Sequence, residues 1–192
     1  QTVNTTITTN TRELVPVIAD DEDPLAQSFT VGGNIEAPGT AGVEGDDNGV
    51  TITSVDLFFG NKDQDSNGVA GNSSVTVQIR TVQLGIPTRR LLGTPVVVPS
   101  EDITTSTDGS VATNVKFPEP IYLAPGREYA IVLLAPTSNA YDVWIARMGE
   151  DAVNIQSLPN VSAIQYNQQW AIGSLFKSQN GSIWTPSQRE DL

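Results

Sequence analysis

The chain has 192 residues, with Lys+Arg 10 against Asp+Glu 22, a net charge of −12 and a pI of about 4.1. So acidic a surface repels phosphate backbones and argues against nucleic acid as a partner. Cysteine and histidine are absent, which excludes disulfides, thiolate zinc sites and histidine-based triads.

The Thr/Asn-rich start, "QTVNTTITTN", has no apolar stretch and no periodicity that would bury anything. Short apolar runs around Pro16 and Pro24 flank a loop of four acids, Asp20, Asp21, Glu22 and Asp23. Residues 1–22 are therefore read as an extended N-terminal arm or linker and 23–192 as the folded domain. The start at Gln1 and the end at "SQREDL" suggest a processed chain or an excised fragment. No apolar run approaches the length that crosses a bilayer.

"AQSFTV" predicts the first strand of the domain, and 32–49 is loop by composition. "VTITSVDLFF" is β-branched and aromatic, hence strand. In "SVTVQIRTV", Val75, Val77 and Ile79 point one way and Thr76, Gln78 and Arg80 the other, the alternation of a half-buried strand. "PVVVPS" lies between prolines and suits an edge. "VATNVKF" alternates again. Pro125-Gly126 predicts a type II turn, because proline sets the first φ and glycine accepts the positive second one. "REYAIVLLA" becomes apolar on both faces, so it is a central strand, and "YDVWIARM" alternates with Tyr141, Val143 and Ile145 inward and Trp144 outward. Asn180-Gly181 predicts a two-residue hairpin that pairs Lys177 with Trp184 and puts Leu175 and Trp184 on one face.

No stretch of twelve or more residues has a helical period. Eight or nine short strands at regular spacing predict an all-β fold. Long loops and few tight hairpins favour an antiparallel jelly-roll-like β-sandwich over a barrel.

Several phrases in this order carry a family resemblance: "DPLAQSFTV", "GVTITSVDLFF", "VTVQIRTVQLGIPTRRLLG", "FPEPIYLAPGREYAIVLLAPTSNAYDVWIARMGE" and "SLFKSQNGSIWTPSQREDL". Together they resemble a β-sandwich domain in tail and baseplate proteins of T4-like contractile-tail phages, especially those of marine cyanobacteria. The resemblance covers roughly residues 23–192; jelly-roll modules of bacterial surface proteins are a looser likeness. It implies a non-enzymatic structural domain of the virion, with other tail or baseplate proteins as partners. It brings no catalytic residue. The loops 36–49 and 61–73 depart from the family pattern.

Asp63, Asp65, Asn67 and Gly68 fall at positions one, three, five and six of a calcium loop. Alternate carboxylates can converge on one ion while glycine permits the sharp turn. Position twelve is Ser74, not the usual closing Glu, and the flanks read as strands, so an EF-hand is out. A calcium site would need a further ligand, for which Asp46, Asp47 and Asp56 are candidates; the plain alternative is a solvated acidic turn. The acids 20–23 read chiefly as a solvated turn.

A glycosidase needs two carboxylates about 5–9.5 Å apart; few acids fall on strands, Asp56, Glu128 and Asp142, and most others sit in solvated loops, which argues against hydrolase chemistry. Trp144, Trp170, Trp184, Tyr141 and Tyr166 could fill core or form a sugar platform. An outward Trp144, with Trp184 beside Leu175, suggests a contact surface for a partner protein or a glycan. The alternative function is accordingly a carbohydrate-binding or host-surface-binding module, calcium-stabilised if the loop holds an ion. Asn-x-Ser/Thr sequons begin at Asn4, Asn72, Asn160 and Asn180 and carry no meaning in a phage protein.

Overall fold

A computed structural model describes residues 13–17, 24–31, 49–136, 138–147, 173–178, 183–187 and 190–191. Among the described residues twelve strands follow in chain order. They are β1 (Glu13–Val17), β2 (Leu25–Val31), β3 (Val50–Leu57), β4 (Phe59–Asn61), β5 (Ser74–Gln83), β6 (Ile86–Pro99), β7 (Thr113–Leu123), β8 (Arg127–Leu134), β9 (Tyr141–Arg147), β10 (Leu175–Ser178), β11 (Trp184–Ser187) and β12 (Glu190–Asp191). Every pairing between them is antiparallel. The fold is an all-β antiparallel sandwich.

One layer is a six-stranded sheet in the order β11-β10-β2-β8-β5-β6. The other joins β3·β7 to β9, which pairs with β1, β4 and β12. Only Phe58 separates β3 from β4, so one stretch of chain bonds to β7 with its first part and to β9 with its last. The pairs are nested: β5·β6 lies within β3·β7, that within β2·β8, and that within β1·β9. This is the order left by one long hairpin folded over on itself.

Alternation builds the core. Leu25, Val75, Val77 and Leu133 from the first layer meet Leu57, Phe59, Val115, Tyr141, Val143 and Ile145 from the second. Beside them Val31, Ile79 and Tyr129 meet Phe117, Ile121 and Leu123. The Pro125-Gly126 turn carries the chain from one layer to the other, with Gly126 at φ +67. The Tyr129 hydroxyl locks this corner by accepting the Ala124 N–H at 2.9 Å. The central placement of β8 and the edge placement of "PVVVPS", now part of β6, are both as the sequence predicts.

Three expectations need correction. First, residues 13–17 are not arm: β1 pairs along its length with β9, from Glu13↔Ile145 to Val17↔Tyr141. Its Pro16 is tolerated because β1 ends its sheet. Second, the C-terminal hairpin is shifted by one residue: Ser178 faces Trp184 and Lys177 faces Thr185. Trp184 is therefore on the face of Phe176, with ring centroids 6.3 Å apart in an edge-on contact, while Leu175 belongs to the core on the other side. A one-residue slip moves every side chain to the opposite face.

Third, Trp144 is not an exposed contact residue. Tyr141, Val143 and Ile145 do point inward at 0–1% exposure, so the alternation is right. The opposite face of β9 is nevertheless covered. The indole N–H of Trp144 donates to the Ser106 carbonyl at 2.9 Å, and the Ser106 N–H donates to the Phe59 carbonyl at 2.9 Å. Only 9% of Trp144 remains exposed. Trp144→Ala should therefore cost about 3–5 kcal/mol, measured by urea unfolding. A loss below about 1 kcal/mol, as at an ordinary surface position, would mean that Trp144 is not packed.

Candidate functional site

The loop 61–73 is shaped by its two aspartates, each in a different way. The Asp65 carboxylate accepts the N–H groups of Asn67 and Val69 at 2.8 and 2.9 Å. The Asp65 N–H bonds the Val69 carbonyl and its own carbonyl accepts from Gly68. Gly68 takes φ +79, which glycine adopts at little cost. Asp65 thus caps a tight exposed turn.

Asp63 faces the other way. Its Oδ2 accepts both the N–H and the hydroxyl of Ser73, at 3.2 and 2.6 Å. Its carbonyl accepts from the Gly71 N–H at 2.8 Å and from the Ser100 hydroxyl. A Cβ on Gly71 would run into the Asp63 carboxylate, so only glycine fits there. Ser73 Oγ lies 2.9 Å from the buried Tyr141 hydroxyl. Lys62 Nζ donates to the Ile103 carbonyl at 2.7 Å, and Asn61 bonds Asp142 across to β9.

The sequence-predicted calcium residues therefore do not turn toward a common point. Asp63 addresses the sandwich, and Asp65 with Asn67 addresses the exposed turn. Among the described residues no three His, Cys, Asp or Glu groups are placed to share an ion. The acids 20–23, Asp46, Asp47, Tyr166 and Trp170 lie outside the described residues, as do the sequons at Asn4, Asn160 and Asn180. Asp56, hydrogen-bonded by Asn114 at 2.6 Å, and Asp142 stand near the loop end. Glu128, paired with Thr30, stands at the opposite end. These three carboxylates are not brought together.

That opposite end holds what sequence reading missed. β5 and β6 join through Leu84-Gly85, with φ +52 and +73, the type I′ signature. Gln83 pairs with Ile86 across it. At its base a cleft of about 610 Å³ is lined by Thr81, Gln83, Thr88, Arg90, Arg127 and Glu128 around Val82, Leu92, Ala124 and Tyr129. Thr81 and Thr88 bond to each other at 2.6 Å. Behind it, half-buried Arg80 donates to Gln78 at 2.9 Å. Burial, and secondarily the nearby Arg89 charge, lower the Arg80 guanidinium below its ordinary pKa. The signal was available: "TRR" and Arg127 are cations in a chain with few of them, but only the pairing of β5 with β8 brings them to one end.

The chain matches no known family model, no curated protein and no solved structure.

The N–H groups of Val69 and Asn67 hold Asp65 below the ordinary carboxylate value of 3.8. A depressed folded value means that the charged form supports the turn. Its contribution is complete above 3.8 and is lost as the pH falls through the lower folded value. Asp65→Asn keeps the shape and removes the charge. The melting-temperature gap between wild type and Asp65→Asn should be constant near neutrality and close in acid below the ordinary value. A gap of the same size at both ends of that range would show that charge plays no part.

Proposed function

We propose that this chain is a non-enzymatic structural domain of a phage tail or baseplate, a jelly-roll sandwich that makes assembly contacts with neighbouring virion proteins. The nested strand pairing supports the jelly-roll reading, and the ordered phrases of the sequence support the phage family. The observation that carries the assembly role is the β5–β6 hairpin tip. Leu84 is wholly exposed, with Ile86 beside it at 47%. Apolar side chains exposed together at a projecting tip suit burial against a partner. Antibodies raised against the chain should label the tail end of purified virions in electron micrographs. Label absent from virions, with the chain recovered only outside them, would overturn the proposal.

The cleft supports a second reading, a host-glycan-binding module. Arg90 and Arg127 supply donors for a carboxylate, Glu128 supplies an acceptor, and the threonines and Gln83 supply partners for hydroxyls. Neither Trp144 nor Trp184 contributes, since both are buried. On this reading Arg90→Ala with Arg127→Ala should remove retention on acidic host-envelope polysaccharide while the melting temperature holds. Equal retention of wild type and variant, or none by either, would eliminate the cleft as a glycan site.

A further inference from the structure

We infer that the β5–β6 hairpin tip docks on the loop-closed end of a second copy of this chain, giving head-to-tail association; this rests on the assembly reading above and names its contact. Leu84 is the one non-glycine residue with positive φ among the described residues. Type I′ turns favour Asn, Asp or Gly there. Leucine has no polar group to bond back to the backbone, and its side chain is 101% exposed. An isolated surface leucine needs no explanation. One held in left-handed backbone at a projecting tip is disfavoured twice in the free monomer, by backbone strain and by water. Such outliers point to a contact made elsewhere.

The charges indicate what the contact is. Around the hairpin end Arg80, Arg89, Arg90 and Arg127 outnumber the carboxylate of Glu128. At the far end of β5, exposed Asp65, Glu101, Asp102 and Asp108 lie in the segments that close the sandwich and outnumber Lys62, which is bonded to the Ile103 carbonyl. In those same segments Val69 and Val111 are bare, at 63% and 43%. Ten residues of β5 separate the two ends by about 33 Å at 3.3 Å per residue. An apolar knob among cations at one end thus complements apolar side chains among carboxylates at the other. A contact between unlike ends is not self-complementary, so it builds rings where the rotation closes and open stacks where it does not.

Sedimentation of the full chain at near-physiological salt should show a mass that rises with concentration past the dimer. Leu84→Asn should stay monomeric yet melt at a higher temperature, because asparagine accepts the left-handed turn. Arg89→Glu with Arg90→Glu should stay monomeric, and so should Asp102→Lys with Asp108→Lys. Mixing those two charge-reversed proteins should restore association. A wild type that is monomeric throughout, a Leu84→Asn variant that assembles normally, or a mixture that stays monomeric would each overturn the inference. So would a monomeric wild type that binds anionic vesicles or acidic polysaccharide through Leu84. A monomeric wild type that still labels virion tails removes this contact and leaves the structural reading standing. An assembling chain absent from virions does the reverse.

Discussion

One residue, Asp63, ties together three stretches of chain that are remote in sequence, through its carboxylate and its own carbonyl. Ser73 leads into β5, Ser100 follows β6, and Tyr141 opens β9; each is bonded to Asp63 or to a group that is. The Ser73 hydroxyl has a single proton, and that proton goes to Asp63 Oδ2. In the Ser73–Tyr141 pair the tyrosine must therefore donate. This satisfies a phenol at 0% exposure, which would otherwise leave a buried polar group unpaired. Tyr141 can then pack edge-on to Phe59, centroids 6.4 Å apart, and join the two layers. The acidic, glycine-rich composition of the loop follows from this clamp. Aspartate is needed as acceptor, Gly71 lets the carboxylate approach, and Gly68 turns the chain back.

The hairpin end is organised by backbone shape. Along β6 two steps of β5 are twice matched by four, between Val77 and Ile79 and between Arg80 and Val82. These bulges bend an edge strand that also carries Pro87 and Pro95. Gly93 lies in one bulge at φ +68, and a Cβ there would stand 2.6 Å from Ile121 Cδ1. The bend thus lets β6 lean onto β7. Bulges and prolines leave an edge unable to template another strand. Contacts made by this edge must then run through side chains, so they can be specific where backbone pairing would be promiscuous.

Much of this architecture was legible because period-two patterns report which face a residue takes. Val75, Val77 and Ile79 are buried, and Tyr141, Val143 and Ile145 too. What a pattern cannot report is whether something lies over the other face. Trp144 alternates outward and is still covered, because the segment through Ser106 folds across β9 from some forty residues upstream. The strong Asn-Gly signal misled for a related reason. It set a two-residue loop, whereas Phe176 and Trp184 pack together only with the strands one residue out of that register. Core packing outweighed local turn preference. At the loop, spacing matched a calcium pattern, but spacing does not reveal that Ser73 and Ser100 sit close enough to take the oxygens of Asp63.

The two ends therefore divide stability and exposure unevenly. At the loop end polar groups are spent on one another, and aspartate, serine and tyrosine form a closed network around the core. At the hairpin end the lock is deeper, at Tyr129 and Ala124, and the strands run on beyond it. A two-residue turn there would fold well with asparagine, so nothing in the fold requires Leu84. The pairing of β5 with both β8 and β6 can hold a strained tip because the register below it is already fixed. A rigid stem with an unfavourable apolar end is poorly made for stability alone. Because the stem has lost its conformational freedom during folding, the tip would have little left to lose in the contact proposed for it.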